Sequence, residues 1–411
     1  MNKRKILVTF AGRKDRMGLL KKHVSSLLDA GLLDEWHVWD FTRTEQDRAY
    51  ISSHYGPVRF LRPEAGYHSV GMIERGAERD YSFMAASDVH VAIKTAGHDQ
   101  FLEYVIGGWQ NRGSMIRQLD EAAFSTYERG EGQCLHQAST PSVLCGQLKD
   151  KLRVYLTDEG KLGVTVSGYK FPELPLRGDI GKVEIFLRGG FGSSIERLNL
   201  SEKVSRFIGD KGCQKPYWQA YQYYVERYEA YKEAIFLKCD DDIIYLQEER
   251  VADFIRCIEE RTDKFLISAN VVNNGVCAYL QQQAGHLPQA LGAFENPEQG
   301  FGGTLWQDGQ KAYNLHRHFI AQGKPSFPLG EALMDVEARL SINFIGWRGE
   351  MLRYMQITPQ DDDEHMLSVV LPRFLGKKVA IFSDFMVSHL SFFPQEAAVK
   401  ADEIIKLYDT A

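Results

Sequence analysis

Cysteine is scarce in this sequence: six in 411 residues, none in a CxxC pair and none after Cys277. That excludes a disulfide-stapled scaffold, argues against a structural zinc site and fits reduced thiols in a cytosolic compartment. Also missing is any apolar stretch of the ~18 residues or more that spans a bilayer. The opening segment MNKRKILVTFAGRKD carries only the short apolar run Ile6 to Phe10, which reads as a β-strand and not as a secretion signal. Positive charge is not in excess: 49 Lys and Arg against 55 Asp and Glu give a net charge of −6. A nucleic-acid partner, which calls for a basic face, is therefore not expected. The loop after the first apolar run, Ala11-Gly12-Arg13-Lys14-Asp15-Arg16, has neither P-loop nor dinucleotide-fold glycine spacing.

What is present is ordinary globular material, 44% hydrophobic and 25% charged, at a length that implies two domains. The first sixty-odd residues alternate strand and helix: Lys5 to Phe10, an amphipathic helix over Leu19 to Leu28, then strands at Trp36 to Phe41 and Val58 to Leu61. Such βαβ spacing predicts a mainly parallel sheet with ligands at the carboxyl ends of its strands. From about Tyr67 to about Glu196 the segments are short, alternating and divided by Gly, Asp and Asn, which predicts an antiparallel sandwich. After Ser201 the α/β texture returns. A tyrosine stripe (Tyr217, Tyr221, Tyr224, Tyr228, Tyr231) reads as core. The strand Ala234 to Lys238 follows, then a helix bearing Val251, Phe254, Ile255 and Ile258, then the strand Phe265 to Ala269. The pattern implies an insertion, with residues 1–66 and 197–411 forming one domain around 67–196. Gln299 to Gln310 reads either as a mobile loop over a site or as an ordinary surface loop.

Three motifs carry chemistry. Lys238-Cys239-Asp240-Asp241-Asp242 follows a buried strand, and three successive carboxylates repel one another unless a cation compensates them. Alternate residues of an extended segment point the same way, so Asp240 and Asp242 converge on one ion, and hard carboxylates suit Mn²⁺ or Mg²⁺. Asp361-Asp362-Asp363-Glu364-His365 opens a helix with more acid than capping requires; Asp363 or Glu364 is the expected general base. His389, in the apolar run VSHLSFF, is a candidate third metal ligand. Arg13 or Arg16 is expected to reach a phosphate. Asn273 and Asn274 before Gly275 make a turn, and His316 and His318 carry no assignment.

The order of strand, small-Gly-basic loop, a strand ending in Asp40, FLKCDDDI, a DDDE helix and a late SHLSFF resembles the GT-A fold glycosyltransferases of bacterial polysaccharide type. The resemblance covers roughly Met1 to Gly66 and Glu196 to Ala411. It implies a Rossmann-like α/β catalytic domain in which Asp240 and Asp242, with His389, hold the metal on the donor diphosphate. It implies donor contacts from Ala11, Gly12, Arg13, Arg16, Asp40, Lys238 and Asp241, and a base at Asp363 or Glu364 acting with inversion. Acceptor contacts are implied at Asn273, Asn274, Trp347 and Asp362. The segments DVHVAIK, YVIGGWQNRGSMIR and VEIFLRGGFG resemble the farnesoic acid O-methyltransferase-type domain, which implies a β-sandwich. Within it Trp109, Asn111 and Arg117 are candidates for sugar contact, since an aromatic face with amide and guanidinium donors suits a pyranose; a structural tryptophan in a scaffold or oligomerisation module is the alternative.

The partners expected are a nucleotide-sugar donor, a glycan or glycolipid acceptor such as bacterial surface polysaccharide or lipopolysaccharide, and a second copy through the insert. The expected location is cytoplasmic, with peripheral contact at the inner membrane face. Two other readings stand beside sugar transfer: a sugar nucleotidyltransferase, and a non-catalytic carbohydrate-binding protein.

Overall fold

Runs of β-branched and aromatic residues become strands, and the amphipathic segments between them become helices, in a computed structural model. It describes residues 3–410 apart from 57, 96–100, 122–123, 125–131, 147–149, 179, 191, 197–202, 211, 214 and 301. By its internal contacts the chain forms two units, Met1–His54 with Gln214–Ala411, and Tyr55–Cys213. The first is discontinuous in sequence and the second continuous.

In the first unit β1 (Lys5–Ala11) leads through α1 (Met17–Asp29) to β2 (Glu35–Asp40) and α2 (Glu45–His54). After α3 (Trp218–Glu226) come β3 (Ile235–Asp240), β4 (Ile243–Leu246), α4 (Val251–Glu260), β5 (Lys264–Val272) and α5 (Gly275–Gln283). The chain closes with α6 (Gly309–Ala321), β6 (Leu333–Val336), β7 (Phe344–Arg348), β8 (Lys378–His389) and α7 (Ala401–Thr410). The sheet order is β2-β1-β3-β7-β5-β8-β4, with β6 on β8.

The expectation of a mainly parallel sheet is corrected here. β1 runs parallel to β2 and β3, and β5 to β8, but β7 is antiparallel to both β3 and β5, and β4 and β6 are antiparallel to β8. β7 is inserted between β3 and β5. Gly346 lets it fit, because a Cβ there would lie 2.2 Å from Ile258 Cδ1 and 3.1 Å from Phe236 O. The tyrosine stripe is core in part: Tyr221, Tyr224 and Tyr231 are buried, with Tyr224 packed edge-on against Phe236 at 5.0 Å, whereas Tyr217 and Tyr228 are half-buried. The Gln299 to Gln310 segment is more ordered than a loop, apart from Phe301, which lies outside the described residues. Gly303–Gln307 is helical, and Asp308 caps α6 by accepting from Lys311 N at 2.9 Å.

The second unit is built from strands. One antiparallel sheet runs in the order His68–Glu74, Lys182–Gly189, Val89–Thr95, Phe101–Gly107, Gly113–Leu119, Gln133–Ser139. The other is built on Glu78–Phe83, Asp150–Leu156 and Lys161–Val166. Burial alternates along Lys182–Gly189 and Asp150–Leu156, as strands with one covered face require. Their inner faces share one core that includes Val91, Ile93, Tyr104, Ile185, Leu152 and Val164. Val58–Leu61, with Ile195–Glu196 and Val204–Ile208 paired to it, also belongs to this unit.

Candidate functional site

The carboxyl ends of the parallel strands gather the acids. Register pairs Phe10 with Asp240 and Ala11 with Asp40, so the turns after β1, β2 and β3 leave the sheet at one edge. On the other side of the turn after β3, Ile243 pairs with His389, and Leu390 N donates to Asp242 O at 2.9 Å. That pairing carries His389 from a segment nearly 150 residues away in sequence to the side of Asp242. Asp240, Asp242 and His389 each offer a ligand atom, and these atoms lie within 4.8 Å of one another. Among the described residues this is the one such acid and histidine cluster.

Within the turn the three aspartates divide their work. Asp241 is outside the cluster: its Oδ2 accepts from Gly12 N and Arg13 N, both at 2.8 Å, and its Oδ1 from Arg13 Nη2 at 2.8 Å. It fastens the loop after β1. Asp240 accepts from Lys238 Nζ and, at Oδ2, from Asn343 Nδ2 at 3.1 Å. Asp242 lies 3.0 Å from Arg13 Nη2 and 3.3 Å from His389 Nε2. Burial would raise the Asp242 carboxyl, but the charge of His389, its hydrogen bond, and Arg13 and Arg16 hold it well below the usual carboxylate range. Burial likewise opposes charge on His389, and Asp242 outweighs it and raises the imidazole.

At this corner the buried Asp242 Oδ1 has only the 3.3 Å approach of His389 Nε2, and the buried His389 Nδ1 makes no hydrogen bond among the described residues. A buried acid and imidazole with hydrogen-bonding capacity left over are costly unless a cation or another partner completes them. Two carboxylates and an imidazole fit Mn²⁺ or Mg²⁺ in type and in spacing. Arg13 sits among the same acids and also pairs with Glu396 at 2.8 Å, so part of the charge is already balanced from the loop.

The rest of the donor-side set lies around this edge. Ala11 ends β1 and accepts from Phe41 N at 2.8 Å. Gly12 has little room, since a Cβ there would sit 3.3 Å from Asp241 Oδ2. Arg16 is buried and donates to Ser391 Oγ at 3.2 Å. Lys238 is buried, donating to Ile342 O at 2.9 Å. Asp40 accepts from Thr42 at Oδ1, while its buried Oδ2 makes no hydrogen bond among the described residues.

The second acidic run resolves residue by residue. Asp361 accepts from Thr358 N and Oγ1, both at 2.8 Å, and Asp362 caps the helix start by accepting from His365 N at 3.1 Å. Arg339 clamps Asp362 and, at 2.7 Å, Glu364. Asp361 and Asp363 make no ion pair among the described residues, and Tyr221 Oη donates to Asp363 Oδ2 at 3.4 Å. Burial pushes the Asp363 carboxyl up, and Lys238 opposes the rise. Asp363 lines an opening of about 170 Å³ with Asp361, Asp362, Lys215, Tyr217, Trp218 and Ile357. The segment then runs through a π-helical turn, Met366–Val370, before Leu371–Phe374.

The implied acceptor residues lie elsewhere than a surface reading requires. Trp347 is 2% exposed and stacks on Phe236 at 5.5 Å. Asn273 is buried, with Nδ2 donating to Leu390 O and Gln395 Oε1. Asn274 caps α5 through Cys277 N and donates to Asn343 Oδ1 at 3.0 Å. These three side chains are committed to the interior, and only Asp362 is exposed.

In the second unit Trp109 is 55% exposed. Asn111 is tied at both ends of its amide to Leu144, and Arg117 is ion-paired to the buried Glu103. Sequence reasoning missed Asn343, Arg339 and Tyr221. Asn343 had a signal, a lone amide within the apolar run SINFIGW; Tyr221 belonged to the stripe read as core, and Arg339 had none.

No curated protein matches this chain. Solved structures with some likeness include a carbohydrate binding module, CBM66, from Bacillus subtilis, at 5% identity and TM-score 0.22 over 37% of this chain and 96% of that one. The carbohydrate recognition domain of Emp47p follows at 12% identity and TM-score 0.21, over 36% and 89%. The TRIM65 PSpry domain has 8% identity and TM-score 0.22, over 32% and 68%. No helix among the described residues is long and apolar enough to cross a membrane. Residues 65–176, within the second unit, match the family described as "Farnesoic acid 0-methyl transferase".

Proposed function

We propose that the first unit is a GT-A-type glycosyltransferase that moves a sugar from a nucleotide-sugar donor to a glycan hydroxyl, with inversion. The observation that carries this reading is the meeting of Asp240, Asp242 and His389 at the carboxyl edge of the parallel strands. A divalent cation bound by these three side chains supplies charge neutralisation to the diphosphate leaving group. Asp40, with its unsatisfied buried Oδ2 at the same edge, is placed to accept from the donor's nucleoside. Asp363, facing the opening beside Tyr217 and Trp218, takes the proton from the acceptor hydroxyl. The acceptor oxygen then bonds to the anomeric carbon as the bond to the diphosphate breaks, and nucleoside diphosphate leaves. Glu364, clamped by Arg339, is not free for that role.

The nucleotidyltransferase alternative needs a loop after β1 that wraps a triphosphate with its amides. Here the Gly12 and Arg13 amides are already engaged on Asp241, and α1 begins at Met17. Methyl transfer, named by the family that matches 65–176, is not carried over: the described residues there form antiparallel strands without a parallel βα unit for a nucleotide cofactor. A product assay separates the readings. With a panel of UDP-, GDP-, dTDP- and CMP-sugars and Mn²⁺, release of the nucleotide leaving group without pyrophosphate is expected, and EDTA stops it. Pyrophosphate release, or binding of glycans with no turnover of any donor, would overturn sugar transfer.

A further inference from the structure

In the second unit three successive non-glycine residues, Trp109, Gln110 and Asn111, adopt left-handed backbone, with φ of 52°, 61° and 63°. An L side chain disfavours that region at each position, so a run of three persists only where its surroundings over-determine it. They do. Asn111 Nδ2 donates to Leu144 O at 2.6 Å, Asn111 Oδ1 accepts from Leu144 N at 3.1 Å, and Asn111 O accepts from Ser142 N at 2.8 Å. Arg112 O accepts from Thr140 N at 3.0 Å.

What this strained turn delivers is a large aromatic ring at the surface. Trp109 is 55% exposed and lies against Gly113, where a Cβ would sit 3.3 Å from Trp109 Cε3. The ring forms one wall of a shallow groove of about 360 Å³, whose other walls are Arg112, Gly113, Gln137, Ala138 and Ser139. A tryptophan held for packing would be buried. This one has a face open, beside a guanidinium, an amide and a hydroxyl.

We propose that this groove binds a sugar ring of a glycan chain. A pyranose offers an apolar C–H face to stack on the indole and equatorial hydroxyls for directional hydrogen bonds. Arg112 and Gln137 donate to those hydroxyls, and Ser139 donates or accepts. A peptide or lipid partner would call for a continuous apolar patch, whereas Trp109 is flanked by polar side chains. The inference stands apart from the metal centre of the first unit, and so does its test.

The full-length protein is titrated, in EDTA, with soluble gluco-, manno-, galacto-, rhamno- and chito-oligosaccharides and an oligouronate. Tryptophan fluorescence and calorimetry report binding. At least one oligosaccharide is expected to bind and shift the fluorescence, and Trp109→Gly or Arg112→Ala to weaken it about tenfold or more. Glycine adopts positive φ without cost, so the melting temperature of Trp109→Gly is expected to hold or rise. The proposal is overturned if no oligosaccharide binds, or if Trp109→Gly binds as tightly as wild type. It is equally overturned if Trp109→Gly melts lower, which marks the ring as structural, or if binding needs Mn²⁺, which places the sugar at the metal centre.

Discussion

Asp242→Asn is expected to weaken Mn²⁺ binding by at least ~100-fold and to lower donor turnover in step, since even groups that only support a metal's ligands change affinity by ~10–100-fold. The amide keeps the shape of the carboxylate and loses its charge. Asp242 is the acid with the most to lose: buried, ionised, and set between Arg13 and His389. Its neighbour supplies the control. Asp241→Asn loosens the Gly12–Arg13 loop that Asp241 clasps, and should leave cation affinity much closer to wild type. Calorimetric titration with Mn²⁺ checks both, and equal losses in the two variants would contradict this division of roles.

Asp363→Asn is expected to lower kcat by about a hundred- to ten-thousand-fold, the range that a positioned general base supplies. Mn²⁺ affinity should be retained, because Asp363 is not in the metal-binding cluster. Glu364→Gln should cost far less in rate and show its effect in thermal stability, through the lost pairing with Arg339. Steady-state kinetics on whichever nucleotide sugar turns over, alongside Mn²⁺ titrations, reads the contrast. A rate loss in Glu364→Gln larger than that in Asp363→Asn would move the base to Glu364.

Much of the first unit could be read from local pattern. The runs that became β1, α1 and β2 carry their periodicity in adjacent residues, as does the α4 face of Val251, Phe254, Ile255 and Ile258. Strand direction was harder. β7 sits between β3 and β5 by a long-range choice that no periodicity in its own residues encodes. The acids were legible as clusters because repulsion among adjacent carboxylates is itself a local fact. Their separate tasks were not, because these depend on distant partners: Asp241 on the amides of Gly12 and Arg13, Glu364 on Arg339, Asp363 on Tyr221.

Trp347 shows the same limit from the other side. The resemblance implied an acceptor contact there, and only its burial and its stacking on Phe236 show the side chain committed to the interior. Trp109 is the converse case. Its neighbours Gly107 and Gly108 mark a turn in the sequence, but the left-handed run that exposes its ring is visible only in the backbone.

The central claim is that Asp240, Asp242 and His389 together hold one divalent cation, and Mn²⁺ electron spin resonance tests it most directly. Titrated into wild-type protein, the ion should bind as a single class of site and show nitrogen coupling from an imidazole. That coupling should vanish in His389→Ala while Asp240 and Asp242 still retain weaker binding. Absence of a bound signal in wild type, or nitrogen coupling that survives the loss of His389, would contradict the account.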